Sequence, residues 1–141
     1  MTLYKFEDLY RSTGTLHYST GEVGYRLVLN IDQGLLDYYR SLIPKWYVVS
    51  RQRYGAHISV VRKETPKVLE HWGKYEGEKI EFFYSNDLQH DHQYWWLNCF
   101  SKDLEKIRKE LGLPVSSPYT LPPDGFVKCF HSTVGNTKQM L

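Results

Sequence analysis

The order of strand-like and helix-like segments predicts an α+β domain, or a mixed two-layer domain, with a sheet at its centre. Short stretches rich in β-branched and aromatic residues alternate with segments whose apolar residues recur at helical spacing. The chain has 141 residues, which is the length of one domain and enough for a sizeable core. We therefore expect a single domain spanning residues 1–141, with no linker inside it.

The first half of the chain is predicted to hold three strands and one long helix. Asp32 can cap this helix, its apolar residues follow helical spacing, and Pro44 ends it. A turn at residues 20–23 is expected to join the two strands that precede this helix. The predicted elements, in order, are a short helix at 4–10, strands at 15–19 and 24–31, a helix at 33–43, an extended piece at 45–49 and a strand at 57–62.

The second half is predicted to hold two helices and three strands. Pro66 suits the first position of a helix, while Ser101 and Gly112 suit the start and the end of another. A proline-rich loop at residues 113–125 precedes the last strand, and loops of this length are usually functional or mobile. The predicted elements are a helix at 67–75, strands at 78–84 and 94–100, a helix at 102–111 and a strand at 126–134.

Two of the strand-like stretches carry the same short motif, a histidine, one intervening residue, a hydroxyl residue and then valine. The first contains His57 and Ser59, and the second contains His131 and Thr133. Residues i and i+2 of a strand point to the same face, so each histidine shares a face with its hydroxyl partner. If the two strands lie side by side, two imidazoles and two hydroxyls converge. One histidine can then remove a proton and the other supply one to a leaving oxygen, which suits metal-free phosphate-ester chemistry.

The alternative interpretation is that both histidines are incidental surface or core residues, because a single motif of this kind is common by chance. Two copies in strand-like settings favour the site. His90, Asp91 and His92 also suggest metal ligands, but a polar loop with no further ligand is a weak zinc site, since zinc takes three or four placed ligands. We expect a solvated turn there, and neither a metal nor a cofactor.

Composition and charge exclude several classes of protein. The formal net charge of +2 is too small to indicate bulk nucleic-acid binding. No apolar run reaches the length of a membrane span, and the N-terminus lacks a signal-peptide pattern. The two cysteines, Cys99 and Cys129, are too few for a disulfide framework and are expected to be reduced thiols in a cytoplasmic protein. Cys129 shares strand parity with the second motif and is expected beside the site.

Aromatic residues make up 16% of the chain, and 12 of them are tyrosines. They suit either a tyrosine-rich core and surface or a cleft in which nucleobases stack, and composition does not distinguish the two. Arg51 and Arg53 precede the first motif and are candidate contacts to a phosphate or a base, although loop arginines are more often only solvated. The candidate residues for holding a base are Tyr25, Tyr54, Trp95, Trp96 and Tyr119.

The paired motif, the chain length and the element order resemble the 2H phosphoesterase superfamily, whose fold is called LigT-like. The resemblance implies a two-lobed α+β fold in which helices pack outside a concave, antiparallel-rich central sheet and the two motifs meet on its floor. It also implies that His57 and His131 are the acid–base pair, that Ser59 and Thr133 bind the phosphate, and that no metal takes part.

Within that family, a small stand-alone chain is most similar to viral enzymes that destroy the cyclic nucleotide signals of host defence, the anti-CBASS phosphodiesterases. The resemblance implies a viral protein of the host cytoplasm that degrades 3′–5′ linked cyclic oligonucleotides. Two alternatives stay open. One is a phosphodiesterase for 2′,3′-cyclic phosphates at RNA ends, and the other is a non-catalytic nucleotide- or RNA-binding module on the same fold.

Overall fold

A closed antiparallel barrel of six strands forms the centre of the protein. The computed structural model describes residues 4–117 and 120–137. The strands are rich in β-branched and aromatic residues, which fit a pleated, half-buried surface. The strands are β1 (Tyr10–Ser19), β2 (Arg26–Asn30), β3 (Ser50–Arg51), β4 (His57–Val61), β5 (Lys79–Tyr84), β6 (Gln89–His90), β7 (Tyr94–Phe100) and β8 (Phe130–Asn136), and the helices are α1 (Gln33–Ser41) and α2 (Lys102–Glu110).

The barrel closes through β8. Around the ring the order is β8, β4, β2, β1, β5, β7 and back to β8, and every neighbouring pair is antiparallel. Ser132 of β8 lies opposite Ile58 of β4 on one side and opposite Leu97 of β7 on the other. The short strands β3 and β6 add to β8 and β7. Each of the six barrel strands therefore has a partner on both sides.

This barrel shows that the predicted two-lobed α+β fold of the 2H phosphoesterases is wrong. The described residues form no open concave sheet, and they contain two α-helices where four helices were expected. At residues 67–75 the structure has only a 3₁₀ turn, Leu69–His71. Gly73 has a φ of 87°, which a right-handed helix does not allow. Val68 and Trp72 also have extended backbone angles, with ψ of 94° and 127°, and the N–H groups of Lys67 and Val68 donate to the Leu111 carbonyl at the end of α2, which ties the segment to that helix.

The predicted helix at 4–10 and extended piece at 45–49 are wrong, because these segments contain the 3₁₀ turns Phe6–Asp8 and Lys45–Tyr47 instead. The other predicted strands and helices are present, most of them with shifted bounds, and the short strands β3 and β6 were not predicted. The first strand begins at Tyr10 and not at residue 15. The last strand begins at Phe130 and not at residue 126. The reason is that the N–H groups of Val127 and Lys128 donate to Oε2 of Glu105, at 2.9 and 3.0 Å, and so are not available to a strand ladder.

Two short amphipathic helices pack against the barrel. Asp32 caps α1 by accepting a hydrogen bond from the Gly34 N–H, and the Ser101 hydroxyl caps α2 by accepting one from the Leu104 N–H, as predicted. Within the part of the chain that the structure describes, no helix has the length and apolar character needed to cross a membrane. The helices cover different groups of core residues, which are Leu27, Leu29, Ile58, Val60 and Phe82 under α2, and Trp95, Leu97 and Val134 under α1.

Two glycines allow neighbouring strands to approach closely. A Cβ atom at Gly14 of β1 would lie 2.6 Å from the carbonyl oxygen of Asn30. A Cβ atom at Gly135 of β8 would lie 2.5 Å from the carbonyl oxygen of Ser50. Carbon and oxygen atoms that are not bonded do not come so close without displacement, so Gly135 is what allows β3 to pair with β8 beside β4.

Candidate functional site

The two motif strands, β4 and β8, are hydrogen-bonded neighbours, as predicted. Their cross-strand pair, Ile58 and Ser132, is fully buried and points into the barrel. Because side chains alternate along a strand, the residues on either side of this pair point outward. All four motif side chains therefore lie on one outer face of the barrel, and these are His57, Ser59, His131 and Thr133.

The cross-strand pair of β4 and β8 indicates the spacing of the two histidines. Since Ile58 faces Ser132, a regular antiparallel ladder sets His57 opposite Thr133 and Ser59 opposite His131. The histidines are then diagonal neighbours, at about 7–8 Å between Cα atoms and less between Cβ atoms. The Ser132 hydroxyl also donates to the His57 carbonyl at 2.9 Å, which ties the two strands together at this point. One phosphate group can reach both rings at such a separation.

A loop at residues 52–56 interrupts the ladder beside the site. Arg51 of β3 pairs with Gly135, and Ile58 of β4 pairs with Ser132, so both short strands lie along the same side of β8. The loop between them is anchored at Ala56, whose N–H donates to Gln33 Oε1 at 3.0 Å and whose carbonyl accepts from the Ile31 N–H at 3.1 Å. His57 follows directly and is held at the end of a fixed turn.

His57 is oriented by the loop before it. Its Nδ1 lies 2.7 Å from the Gly55 carbonyl oxygen. A carbonyl oxygen only accepts, so Nδ1 carries the hydrogen, and in the neutral ring Nε2 holds the lone pair. Partial burial lowers the pKa of His57, the Gly55 carbonyl works in the opposite direction, and the positive charges of Arg26 and Arg62 lower it further. The ring is thus a neutral imidazole near pH 7, with its basic nitrogen away from the loop.

His131 lies between a tryptophan and a lysine. The centroids of the His131 and Trp96 rings are 5.6 Å apart, with 44° between the ring planes. Partial burial lowers the pKa of His131, and the positive charge of Lys128 lowers it further, although the residue as a whole stays exposed. Both histidines of the site therefore favour the neutral form more than a free histidine does.

Hydroxyl groups and positive charges surround the two rings. The side chains of Ser59 and Thr133 are half-buried on the same face, and no hydrogen bond to a described residue engages either hydroxyl. Arg26 and Arg62 act electrostatically on His57, and Lys128 acts on His131. Two imidazoles, two hydroxyls and three cations form a set that suits an anionic ligand such as a phosphodiester.

The predicted base-holding residues separate into different groups. Trp96 lies at the site, and Tyr54 is on the 52–56 loop with 63% of its surface exposed. The prediction that Trp95 holds a base is wrong, because the residue is 2% exposed and its ring stacks on His90, with 5.1 Å between the ring centroids, which leaves no face for a base. Tyr25 packs edge-on against Trp72, at 5.1 Å between centroids, as part of the core periphery. Tyr119 lies outside the described residues.

Sequence reasoning missed Arg26, Arg62, Lys128 and Asn98. The signal for two of them was present: Arg26 lies on a predicted strand, and Asn98 shares parity with Trp96 on another. Arg62 and Lys128 also lie within predicted strands, but their parity is opposite to that of His57 and His131, so strand alternation placed them on the other face. In the structure they lie just beyond β4 and just before β8. These residues add charge and support to the four motif side chains.

The cysteines and the histidine loop do not join the site chemistry. Burial raises the pKa of Cys129 to about 12 and raises that of Cys99 well above its ordinary value, so both are protonated thiols at neutral pH. The rings of His90 and His92 are 4.7 Å apart. Among residues 4–117 and 120–137, no group of three or more histidine, cysteine or acidic side chains is placed to hold a metal ion.

Comparison with known proteins adds no relative to this picture. No family model, no curated protein and no solved structure matches the chain.

Proposed function

We propose that this protein is a phosphodiesterase acting on small nucleotides, with His57 and His131 as its acid–base pair. The observation that carries the proposal is that both histidine motifs share one outward face of two paired strands. General acid–base catalysis of displacement at phosphorus uses two titratable groups that can both reach one phosphate. A binding module has no need of the pair.

His57 is assigned as the base and His131 as the acid. Nε2 of His57 takes the proton of the attacking hydroxyl while the new P–O bond forms. Protonated His131 gives its proton to the leaving oxygen while the old P–O bond breaks. The Gly55 carbonyl fixes the ring of His57 for this role, and the two arginines near it disfavour its protonation. A bound phosphate anion favours the protonated form of His131, which offsets the effect of Lys128.

The hydroxyls and cations stabilise charge that develops on the phosphorus oxygens. Ser59 and Thr133 each supply one hydrogen-bond donor, and the charges of Arg26, Arg62 and Lys128 favour the pentacoordinate state over the free diester. Removing one hydroxyl eliminates a single hydrogen bond. We therefore expect Ser59→Ala and Thr133→Ala to reduce turnover less than loss of either histidine.

The proposed substrates are 3′–5′ linked cyclic oligonucleotides, in which the ribose 2′-hydroxyl attacks the adjacent phosphorus. The motif set includes no side chain assigned as a protein nucleophile, and an internal hydroxyl gains several kcal/mol from proximity over a bimolecular attack. The first product is a 2′,3′-cyclic phosphate. Water can open it in a second step, in which neutral His131 removes the proton and protonated His57 supplies one.

The decisive experiment compares a cyclic ribo-dinucleotide with its 2′-deoxy counterpart and with 2′,3′-cyclic mononucleotides. We expect cleavage of the first and no cleavage of the deoxy compound. Similar rates for both would show that water is the nucleophile. Cleavage of 2′,3′-cyclic mononucleotides alone would favour the RNA-end activity, and binding without cleavage of any compound would favour a non-catalytic module.

Substitution of the histidines tests the site itself. His57→Ala and His131→Ala should each lower turnover at least ~100-fold, the scale of losing a general acid or base. His17→Ala is the matched control, because His17 is an exposed histidine on another barrel strand, β1. Its Nδ1 lies 3.1 Å from Oε2 of Glu76. Circular dichroism should show all three folded. A folded His57→Ala protein with nearly wild-type turnover would refute the assignment.

A further inference from the structure

A buried asparagine connects the tryptophan of the site to the N-terminal segment. Nε1 of Trp96 donates to Oδ1 of Asn98 at 3.1 Å, and Nδ2 of Asn98 donates to the Tyr4 hydroxyl at 2.6 Å. Indole nitrogen is a donor only, so the asparagine oxygen faces Trp96 and its NH₂ group faces Tyr4. Asn98 is 3% exposed, and both ends of its amide are used.

The strand register sets this chain of hydrogen bonds directly beside the proposed acid. On β7, Asn98 is the cross-strand partner of His131, and Trp96 is the partner of Thr133. Partners in an antiparallel pair point to the same face, so the indole lies next to the imidazole and the hydroxyl of the second motif. Trp96 is half-buried, and part of its ring therefore remains accessible on the outer face.

The N-terminal segment fixes the far end of the hydrogen-bond chain. The Tyr4 ring packs edge-on against Phe100, with centroids 5.3 Å apart and 61° between planes. Phe6 packs on Phe83 at 4.9 Å and on Phe126 at 6.1 Å. These contacts hold residues 4–9 over the outer face of β7 and bury Asn98 beneath them. A buried amide with two fixed partners allows the indole edge one orientation.

We propose that Trp96 is the wall on which the site stacks a nucleobase, and that Asn98 and Tyr4 are positioning residues that hold this wall beside His131. The inference rests on the proposed function of the site. The base belongs to the nucleotide whose phosphate lies between the two histidines. Stacking on an indole face tolerates any base, so the wall supplies affinity and alignment rather than base identity.

Binding is tested with two probes, the 2′-deoxy cyclic dinucleotide and inorganic phosphate. The nucleotide should quench indole fluorescence in the wild type. Trp96→Leu should weaken its binding by roughly ten- to hundredfold, the range for loss of one stacked base, and leave phosphate binding unchanged. Trp46→Leu is the control, because Trp46 is 78% exposed in the 45–47 turn. Equal nucleotide affinity of Trp96→Leu and wild type, or a wild type that binds phosphate but not the nucleotide, would overturn the proposal.

Positioning is tested with Tyr4→Phe, which keeps the ring contact with Phe100 and removes only the hydroxyl, and with Asn98→Leu. Both should raise KM several-fold with a smaller change in kcat. They should also raise the pKa of His131, measured by NMR, because a displaced indole leaves that ring more hydrated. A purely structural role would lower the melting temperature without moving that pKa. Unchanged KM and unchanged His131 pKa in folded Tyr4→Phe would overturn the positioning roles.

The two proposals fail in different ways. If His57→Ala and His131→Ala are inactive while Trp96→Leu cleaves and binds like the wild type, the acid–base assignment stands and the stacking wall is refuted. If Trp96→Leu loses nucleotide binding while both histidine variants keep full turnover, the wall stands and the acid–base assignment is refuted.

Discussion

Replacing Gly135 by alanine should destabilise the protein by a specific steric effect. The new Cβ would lie 2.5 Å from the Ser50 carbonyl oxygen and 2.6 Å from Cγ1 of Val49, both well inside ordinary contact. Overpacking of this kind typically destabilises the folded state by about 1–3 kcal/mol. Alanine also lowers the conformational entropy of the unfolded chain, which offsets about 0.4–1 kcal/mol of this loss. We expect a net loss of about 1–2 kcal/mol in the free energy of unfolding, which lowers the melting temperature by about 3–6 °C.

Urea denaturation followed by tryptophan fluorescence measures this loss. Gly21→Ala is the matched control, because a Cβ at Gly21 would meet no atom within 4 Å. The control should be neutral or slightly more stable than the wild type, since it gains only the unfolded-state effect. If Gly135→Ala unfolded at the same urea concentration as Gly21→Ala, β3 would not be packed against β8 as described, and the steric argument would fail.

Three further outcomes are expected. His57 must be neutral to act as the base and His131 protonated to act as the acid, so kcat/KM should peak between their two pKa values. Both pKa values are lowered, so this peak should lie below about pH 6.5. A pH profile that still rises above this pH would contradict the roles. Arg108→Ala should cost about 3–5 kcal/mol in urea denaturation, because Arg108 is buried and its loss leaves the Glu64 carboxylate and the Val60 and Pro114 carbonyls without the bonds that it donates. Excess chelator should leave turnover unchanged. If chelator abolished turnover and zinc restored it, the His90 loop would be implicated instead.

The candidate site was accessible to sequence reasoning because strand parity depends only on local spacing. His57 with Ser59, and His131 with Thr133, had to share a face once each stretch was a strand, and the β-branched residues indicated strands. The closure of the sheet was not accessible in this way. It depends on Ser132 having partners in both β4 and β7, which are pairings between distant segments.

Tertiary contacts also explain where local patterns misled. Residues 67–75 have apolar residues at helical spacing, but hydrogen bonds to the Leu111 carbonyl hold the segment against α2, Val68 and Trp72 are extended, and Gly73 has a positive φ. Trp95 and Trp96 are adjacent in a strand and must point to opposite faces, so only one of them could line an outer site. Which of the two does so follows from the direction in which His131, on the neighbouring strand, points.

Closure of the ring also determines when during folding the protein acquires its proposed activity. The pairing of β4 with β8 joins residues about half the chain apart, as the partners Ile58 and Ser132 illustrate. Contacts of such large sequence separation form slowly, because the entropy of closing the intervening chain must be overcome first. The β1–β2 hairpin has no such delay. Turnover regained during refolding would therefore time the long-range pairing of β4 with β8, while circular dichroism would record the earlier β1–β2 hairpin as well.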